Sequence, residues 1–251
     1  MKTQISKLPL PDGSPISNDP MNEKNMSKGE IDRLGDQIRH EKSKLSENTL
    51  NSLQEYRISH RIALSIVFTK LCKYTRQVHP SSIVTYRIKR FETIISKLNR
   101  YPEMRFSRMW DIGGCRCILR NNRDLEKLLK FLESDPEIEI TKKYDYLTKP
   151  QDDGYRSLHV FIKTKSHPEV IEVQLRNTED HNWATLVEIT DLLYDLKLKE
   201  IGNDERLVRF HLLLSKKETL SVEEKGEIAN TVKHYNYFER LSEVFSRNYL
   251  K

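Results

Sequence analysis

The sequence predicts an α+β or α/β core with helical flanks. Three observations lead there. Apolar residues fall at helical spacing near the start, period-2 alternation dominates several runs in the middle, and helical spacing returns towards the end. Residues 1–28, rich in Pro, Ser, Asn, Gly and Lys, read as a flexible tail. A helical extension is expected over 29–80, the mixed core over 81–200 and two C-terminal helices over 201–251.

From Lys28 to about Arg76, Leu34, Ile38, Leu45, Leu50 and Leu53 lead into the denser run Ile62–Leu71, a helical pattern that His79–Pro80 and Ser81–Ser82 interrupt. Ile83–Lys89 then reads as extended and Phe91–Asn99 as helix. Residues 111–120, DIGGCRCILR, read as a strand entered through two glycines, and Asn121 or Asn122 caps a helix to about Glu133 whose Leu125, Leu128, Leu129 and Leu132 share a face. Ile138–Lys142, Leu158–Lys163 and Val170–Arg176 are the remaining strands. A helix follows over Thr178–Leu198, with Trp183, Val187 and Tyr194 packed inward, and the two terminal helices divide near Lys216–Ser221.

At 251 residues the chain can bury one good core but hardly two. No run reaches the ~18 apolar residues of a membrane span, and the start lacks an apolar signal segment. Cys72, Cys115 and Cys117 therefore read as core thiols of a cytoplasmic protein rather than disulfides or metal ligands. The net charge of +6 is uneven: residues 73–130 carry +9 and the rest −3. A basic segment of that kind points to a polyanionic ligand, a nucleotide or RNA.

Three strings carry the chemistry: DIGGCR at 111–116, GYRSLH at 154–159 and EVQLR at 172–176. Glu172, Gln174 and Arg176 alternate with apolar residues, so one strand face presents a carboxylate, an amide and a guanidinium. Asp111 and Glu172 fit a magnesium site completed by substrate phosphates. Two buried ion pairs with Arg116 and Arg176 explain the same residues about as well. Arg87 and Lys89 on an extended segment, with Lys97 and Arg100 one turn apart on the next helix, can cradle a triphosphate. Gly154 permits a turn that exposes Tyr155 as a stacking surface for a base, and His159 leaves the same turn. His181, Thr185 and Glu188 share a helix face beyond the last strand. The sequence holds no glycine-rich phosphate loop, so side chains must hold a nucleotide.

Taken in order, R-x-K…K-x-x-R (Arg87, Lys89, Lys97, Arg100), D-I-x-G-x-R (Asp111–Arg116), G-Y-R-S-L-H (Gly154–His159), E-x-Q-x-R (Glu172–Arg176) and W-A (Trp183, Ala184) closely resemble the synthetase domain of the RelA/SpoT family, above all its small single-domain members. The resemblance covers about residues 84–195. It implies an α+β, nucleotidyltransferase-like mixed sheet flanked by helices, and transfer of pyrophosphate from ATP to the ribose 3′-hydroxyl of GDP or GTP, yielding (p)ppGpp and AMP. Arg87, Lys89, Lys97, Arg100 and Arg116 would then hold ATP, and Asp111 and Glu172 would bind Mg2+, with Glu172 also the base. Tyr155, His159, Gln174, Arg176, His181 and Glu188 would serve the acceptor.

The acceptor loop departs from the family pattern. Gln151 and Asp153 stand where many relatives have Lys and Asn, Asp152 adds a second acid, and Asn177 replaces a Thr. These changes bring in the family's toxin branch, which pyrophosphorylates the 3′ end of tRNA and implies an antitoxin partner. A catalytically silent nucleotide- or RNA-binding module is the third reading. No His-Asp dipeptide occurs, so a synthetase without the family's hydrolase domain is expected, and self-assembly into a homo-oligomer is in keeping with the small members.

Overall fold

A computed structural model describes residues 26–42, 44–196, 198 and 204–249. The tail expected over 1–28 thus lies, as far as residue 25, outside the described residues. Helix α1 (Lys28–Glu41) starts where Ser27 and Glu30 bond each other's backbone N–H in a capping box. Lys42, at φ 55°, breaks the chain's helical course, and Ser46 caps α2 (Glu47–Val78). The single helical pattern read from Lys28 is therefore two helices.

Strand β1 (Ile83–Ile88), helix α3 (Phe91–Arg100), a 3-10 turn at Phe106–Arg108, strand β2 (Gly113–Leu119) and helix α4 (Asn122–Ser134) follow. Of the two candidate caps, Asn121 caps α4 by accepting the Asp124 N–H. Strands β3 (Ile138–Asp145), β4 (Leu158–Thr164) and β5 (His167–Asn177) then lead into α5 (Thr178–Tyr194). The sequence reading ended β3 three residues early and carried α5 to Leu198. Among the described residues, three helices rather than two occupy the C-terminal part: α6 (Glu205–Leu214), α7 (Val222–His234) and α8 (Tyr237–Tyr249). Asn236, at φ 47°, makes the extra break, a backbone state that Asn tolerates better than most residues.

The strands form one mixed sheet in the order β1-β2-β5-β4-β3, with β2 and β5 parallel and the other neighbours antiparallel. Alternation gives the sheet two unlike faces. Cys115, Cys117, Val160, Val173 and Leu175 point inward and pack on Ala63, Leu64, Val67 and Leu71 of α2 and on Leu125, Leu128 and Leu132 of α4. The three cysteines are free thiols, and burial pushes the Cys115 and Cys117 thiols up.

Two smaller cores flank the main one. The first joins α1, the start of α2, α3 and the chain before β2, through Ile38, Leu53, Ile94, Leu98, Phe106 and Ile112. It fixes Lys97 and Asp111, which sit on its surface side. The second joins α5 to the C-terminal helices through Trp183, Val187, Leu207, Phe210 and Tyr237, and it includes Tyr155. Trp183 is core, as expected, and donates its indole N–H to the His211 carbonyl at 2.8 Å. Among the described residues no helix is long and apolar enough to cross a membrane.

Candidate active site on the open face of the sheet

The face of the sheet turned away from α2 carries the polar strand residues. Strand register arranges them in two rows. The first runs Arg87, Gly114, Glu172, Phe161, Lys142 and the second Thr85, Arg116, Gln174, His159, Tyr144. Gly114 thus leaves a gap between Arg87 and Glu172, and nothing but backbone stands where a side chain would separate them.

Asp111 lies two residues before β2 rather than on it. Its Oδ2 accepts from Lys89 Nζ at 2.7 Å and from Lys97 Nζ at 2.9 Å. Burial of Asp111 opposes its ionisation, but the two ammonium groups outweigh burial and hold its pKa below the ordinary carboxylate value. Oδ1 is buried with no hydrogen-bond partner. Lys89 is itself buried. Its backbone N–H bonds the Ile112 carbonyl at 2.8 Å, and its carbonyl accepts from Arg57 Nε at 2.9 Å, which fixes the turn between β1 and α3. Arg87 and Arg100 stay exposed at the rim. Of the four-cation cradle read from the sequence, two members are therefore bound to the carboxylate.

Glu172 meets His159: Oε1 lies 3.0 Å from Nδ1, and Oε2 accepts from Gln174 Nε2 at 3.3 Å. Neither carboxylate pairs with the Arg that follows it in sequence. Instead Arg116 Nε and one terminal nitrogen of Arg176 both donate to Gln174 Oε1 at 3.3 Å. Burial, then the neighbouring Arg176, lowers the Arg116 pKa. Arg176 is buried, and its Nε and Nη1 have no hydrogen-bond partner. His181 lies in the same field: burial first, then Arg116 and Arg176, lower its pKa, while Glu188 opposes them. The Thr185 hydroxyl is spent on the His181 carbonyl. Two guanidinium groups held on one amide oxygen favour an anion, although Glu188 offsets part of their charge.

Tyr155 corrects the sequence reading most. It is 8% exposed, not presented to solvent. Its hydroxyl accepts from Arg176 at 2.7 Å and lies 2.8 Å from His159 Nε2, while the Arg176 guanidinium covers the ring at 4.8 Å. Gly154 does adopt a left-handed backbone, at φ 88°. The turn serves close packing as well, since a Cβ there would collide with Ser215 Oγ. The C-terminal helical layer thus closes over the loop and holds Tyr155 inside. Asp153 caps its own turn by accepting the Tyr155 N–H at 2.9 Å.

Two hollows flank Glu172. A cavity of about 430 Å3 is lined by Asp111, Glu172, Trp110, Tyr144, Phe161 and Lys142, among others. A smaller one of about 100 Å3, on the other side, is lined by Arg87, Gly114, Arg116, Glu172 and Gln174. Glu172 borders both. The sequence reading missed Trp110, Tyr144, Phe161, Lys142 and Arg108, although Trp110 adjoins Asp111 and Lys142 and Tyr144 alternate along β3. Among the described residues no three His, Cys, Asp or Glu side chains cluster as a metal site. The unpartnered, buried Oδ1 of Asp111 nevertheless fits Mg2+, which takes one or two carboxylates and leaves its other positions to phosphate and water.

A mixed sheet with one helix-covered face and one polar face bearing two carboxylates among bases defines an α+β domain whose site lies on the open face. Residues 86–197 match the model of the region found in RelA/SpoT proteins. GTP pyrophosphokinase YwaC of Bacillus subtilis is 29% identical over 139 residues, which are 49% of this chain and 66% of the relative. GTP pyrophosphokinase YjbM of the same organism is 26% identical over 150 residues, 57% of this chain and 68% of the relative. The chain thus spans about two thirds of the length of these relatives. The fold is that of the small alarmone synthetase 1 of B. subtilis, solved bound to its product pppGpp, with a TM-score of 0.56 at 18% identity over 78% of this chain and 97% of that one. A GTP pyrophosphokinase family protein of Streptococcus pneumoniae gives 0.52 at 20% identity over 77% and 92%.

Proposed function

We propose that the chain is an ATP-dependent pyrophosphotransferase that moves the β,γ-pyrophosphate of ATP to the ribose 3′-hydroxyl of GDP or GTP and releases AMP. The observation that carries this reading is the position of Glu172, which borders two cavities on one sheet face. Transfer between two bound nucleotides needs such a shared residue at the reacting centre. The relatives named GTP pyrophosphokinase, and the small alarmone synthetase solved with pppGpp, support the guanosine acceptor.

ATP occupies the side of Arg87 and Arg116, where the missing side chain at Gly114 lets the nucleotide approach the strand. Lys89, Lys97 and Arg100 face its phosphates at the border with Asp111. The acceptor occupies the larger cavity with its 3′-oxygen towards Glu172. That oxygen attacks the β-phosphorus, the bond from the β-phosphorus to the α,β-bridging oxygen breaks, and the electron pair leaves on AMP. The hydroxyl proton passes to the Glu172 carboxylate and on to solvent. Asp111 and Glu172 would hold Mg2+, which neutralises phosphate charge when bound. Positioning and charge neutralisation, rather than a covalent intermediate, supply the rate.

A second acceptor, the 3′ end of tRNA, is favoured by one observation: Asp152 and Asp153 set two adjacent acids in the acceptor loop, which disfavours a nucleotide's 5′-phosphates there. ATP labelled on its terminal phosphate, incubated with Mg2+ and GDP, GTP or deacylated tRNA, tests both readings. Label is expected in the guanosine nucleotide. Label on RNA alone selects the second reading, and no transfer, with Asp111→Ala matching the wild type, defeats both.

A further inference from the structure

Only Lys89 and Arg90 separate β1 from α3. Of the site's cations, Arg87 and Lys89 belong to the strand side of this turn, and Lys97 and Arg100 to the helix. Their convergence is tight. Lys89 Nζ and Lys97 Nζ reach the same Asp111 oxygen, at 2.7 and 2.9 Å. A change in the angle between β1 and α3 would part them, because the buried Lys89 side chain has little freedom to follow. The turn does not hold that angle by itself. Arg90 is the N-cap of α3 and makes no side-chain hydrogen bond there.

Arg57, on α2, supplies the restraint from outside. Its Nε donates to the Lys89 carbonyl at 2.9 Å, and its guanidinium carbon lies 4.2 Å from the centre of the Phe91 ring. One planar group thus grips the residue before Arg90 with its edge and the residue after it with its face. A terminal nitrogen donates to Gln54 Oε1, which fixes the plane of the group. Burial lowers the Arg57 pKa, and Glu92 in the first turn of α3 opposes this. A lysine could not replace it, because an ammonium has no flat face to stack while its edge donates.

We infer that Arg57 is a positioning residue: by fixing the angle between β1 and α3, it makes Lys89 and Lys97 converge where the triphosphate of ATP binds. It lines neither hollow beside Glu172, and so acts through Lys89 and Phe91. The triphosphate's part in this rests on the pyrophosphotransferase reading; the pinning of the turn does not.

Binding of a labelled non-hydrolysable ATP analogue with Mg2+ tests the inference. Arg57→Met, which keeps the packed stem, should weaken the analogue about tenfold. Arg57→Lys keeps the charge but cannot bond and stack at once, and should stay about threefold or more weaker than the wild type. Phe91→Leu removes the stacked face alone and should cost about threefold. All three should keep a single cooperative urea transition, and were Arg57→Met to lose it, the two milder variants decide. In a Lys89→Met background the loss from Arg57→Met should shrink to about threefold or less, because the two residues share one path. A merely structural Arg57 would cost the same in both backgrounds. That additive outcome, an Arg57→Lys variant equal to the wild type, or unchanged affinity in Arg57→Met and Phe91→Leu overturns the inference.

Amide exchange gives a readout without ligand. The Lys89 and Ile94 amides, bonded to the Ile112 and Arg90 carbonyls, should exchange faster in Arg57→Met, and those of Val173 and Leu175 on β5 should not. Equal rates in the two proteins overturn the inference. A wild type that binds no analogue, with faster exchange at Lys89 and Ile94 in the variant, defeats the pyrophosphotransferase reading and leaves the pinned turn standing.

Discussion

His159 Nδ1 stands 3.0 Å from Glu172 Oε1. The other end of the ring settles which nitrogen carries the proton. Arg176 can only donate, so it fills the acceptor side of the Tyr155 hydroxyl and leaves that hydrogen for His159 Nε2. Nδ1 then carries the ring's own proton and donates it to Glu172. Tyr155 and Arg176 thereby orient, through His159, the carboxylate placed at the reacting centre.

Tyr155→Phe tests that chain while keeping the buried ring. The loss of one hydrogen-bonded hydroxyl should lower stability by about 1 kcal/mol. The turnover rate should fall about tenfold or more, because His159 is freed to rotate and Glu172 loses its fixed donor. ATP affinity should change little, since neither Tyr155 nor His159 lines the hollow on the ATP side. Thermal unfolding and steady-state rates at saturating acceptor decide it. An unaltered turnover rate would show that Glu172 does not depend on the His159 tautomer. Tyr155→Ala is less informative: emptying a buried aromatic site costs about 3–5 kcal/mol by itself.

Asp111 gives a prediction in which charge and chemistry separate. Asp111→Asn keeps the side chain's shape but leaves the buried Lys89 ammonium facing a neutral amide. Breaking a buried pair on one side costs about 3 kcal/mol, and activity should fall by about 100-fold or more. Adding Lys89→Met removes the stranded charge. The double variant should recover most of the stability and none of the activity, read by urea midpoint and by label transfer. Recovery of activity along with stability would make Asp111 a structural partner only.

The motif residues were legible because strand alternation and fixed spacing place them without help from the rest of the chain. Glu172, Gln174 and Arg176 do share the open face with Arg116, and Asp111 does meet Lys97 across a short loop. What stayed hidden depends on packing from distant segments. Tyr155 is buried because α6 and Ser215, some 60 residues downstream, close on Gly154, a contact that no local pattern announces. The Lys89–Asp111 pair stands in place of the alternative Asp111–Arg116 pair because Arg116 faces Gln174 across on the neighbouring strand. Trp110, Phe161 and Tyr144 come from three separate segments, and only the sheet register sets two of them side by side with Glu172 and His159. The break at Asn236 was missed because nothing in the apolar spacing marks a single left-handed residue.

The support beneath the site responds to acid. His60 on α2 packs under β2: a Cβ on Gly113 would lie 3.4 Å from His60 Cβ. The ring is buried, sits edge-on to Tyr56 at 5.0 Å, and its Nδ1 is 2.9 Å from the Tyr56 carbonyl, to which it donates. Burial pushes its pKa down to about 4, and the Tyr56 carbonyl only partly opposes this. In the unfolded chain a histidine titrates near 6.5. Between those values the unfolded state binds the extra proton and the folded state does not, so stability falls as pH drops. The contribution is complete above pH ~6.5 and is lost towards pH ~4. Urea midpoints of the wild type should therefore decline over that window by the equivalent of a few kcal/mol. His60→Gln, which can still donate to the Tyr56 carbonyl but cannot take up a proton, should flatten the decline. Equal slopes in the two proteins would show that His60 is already solvated in the folded state and does not carry the acid sensitivity.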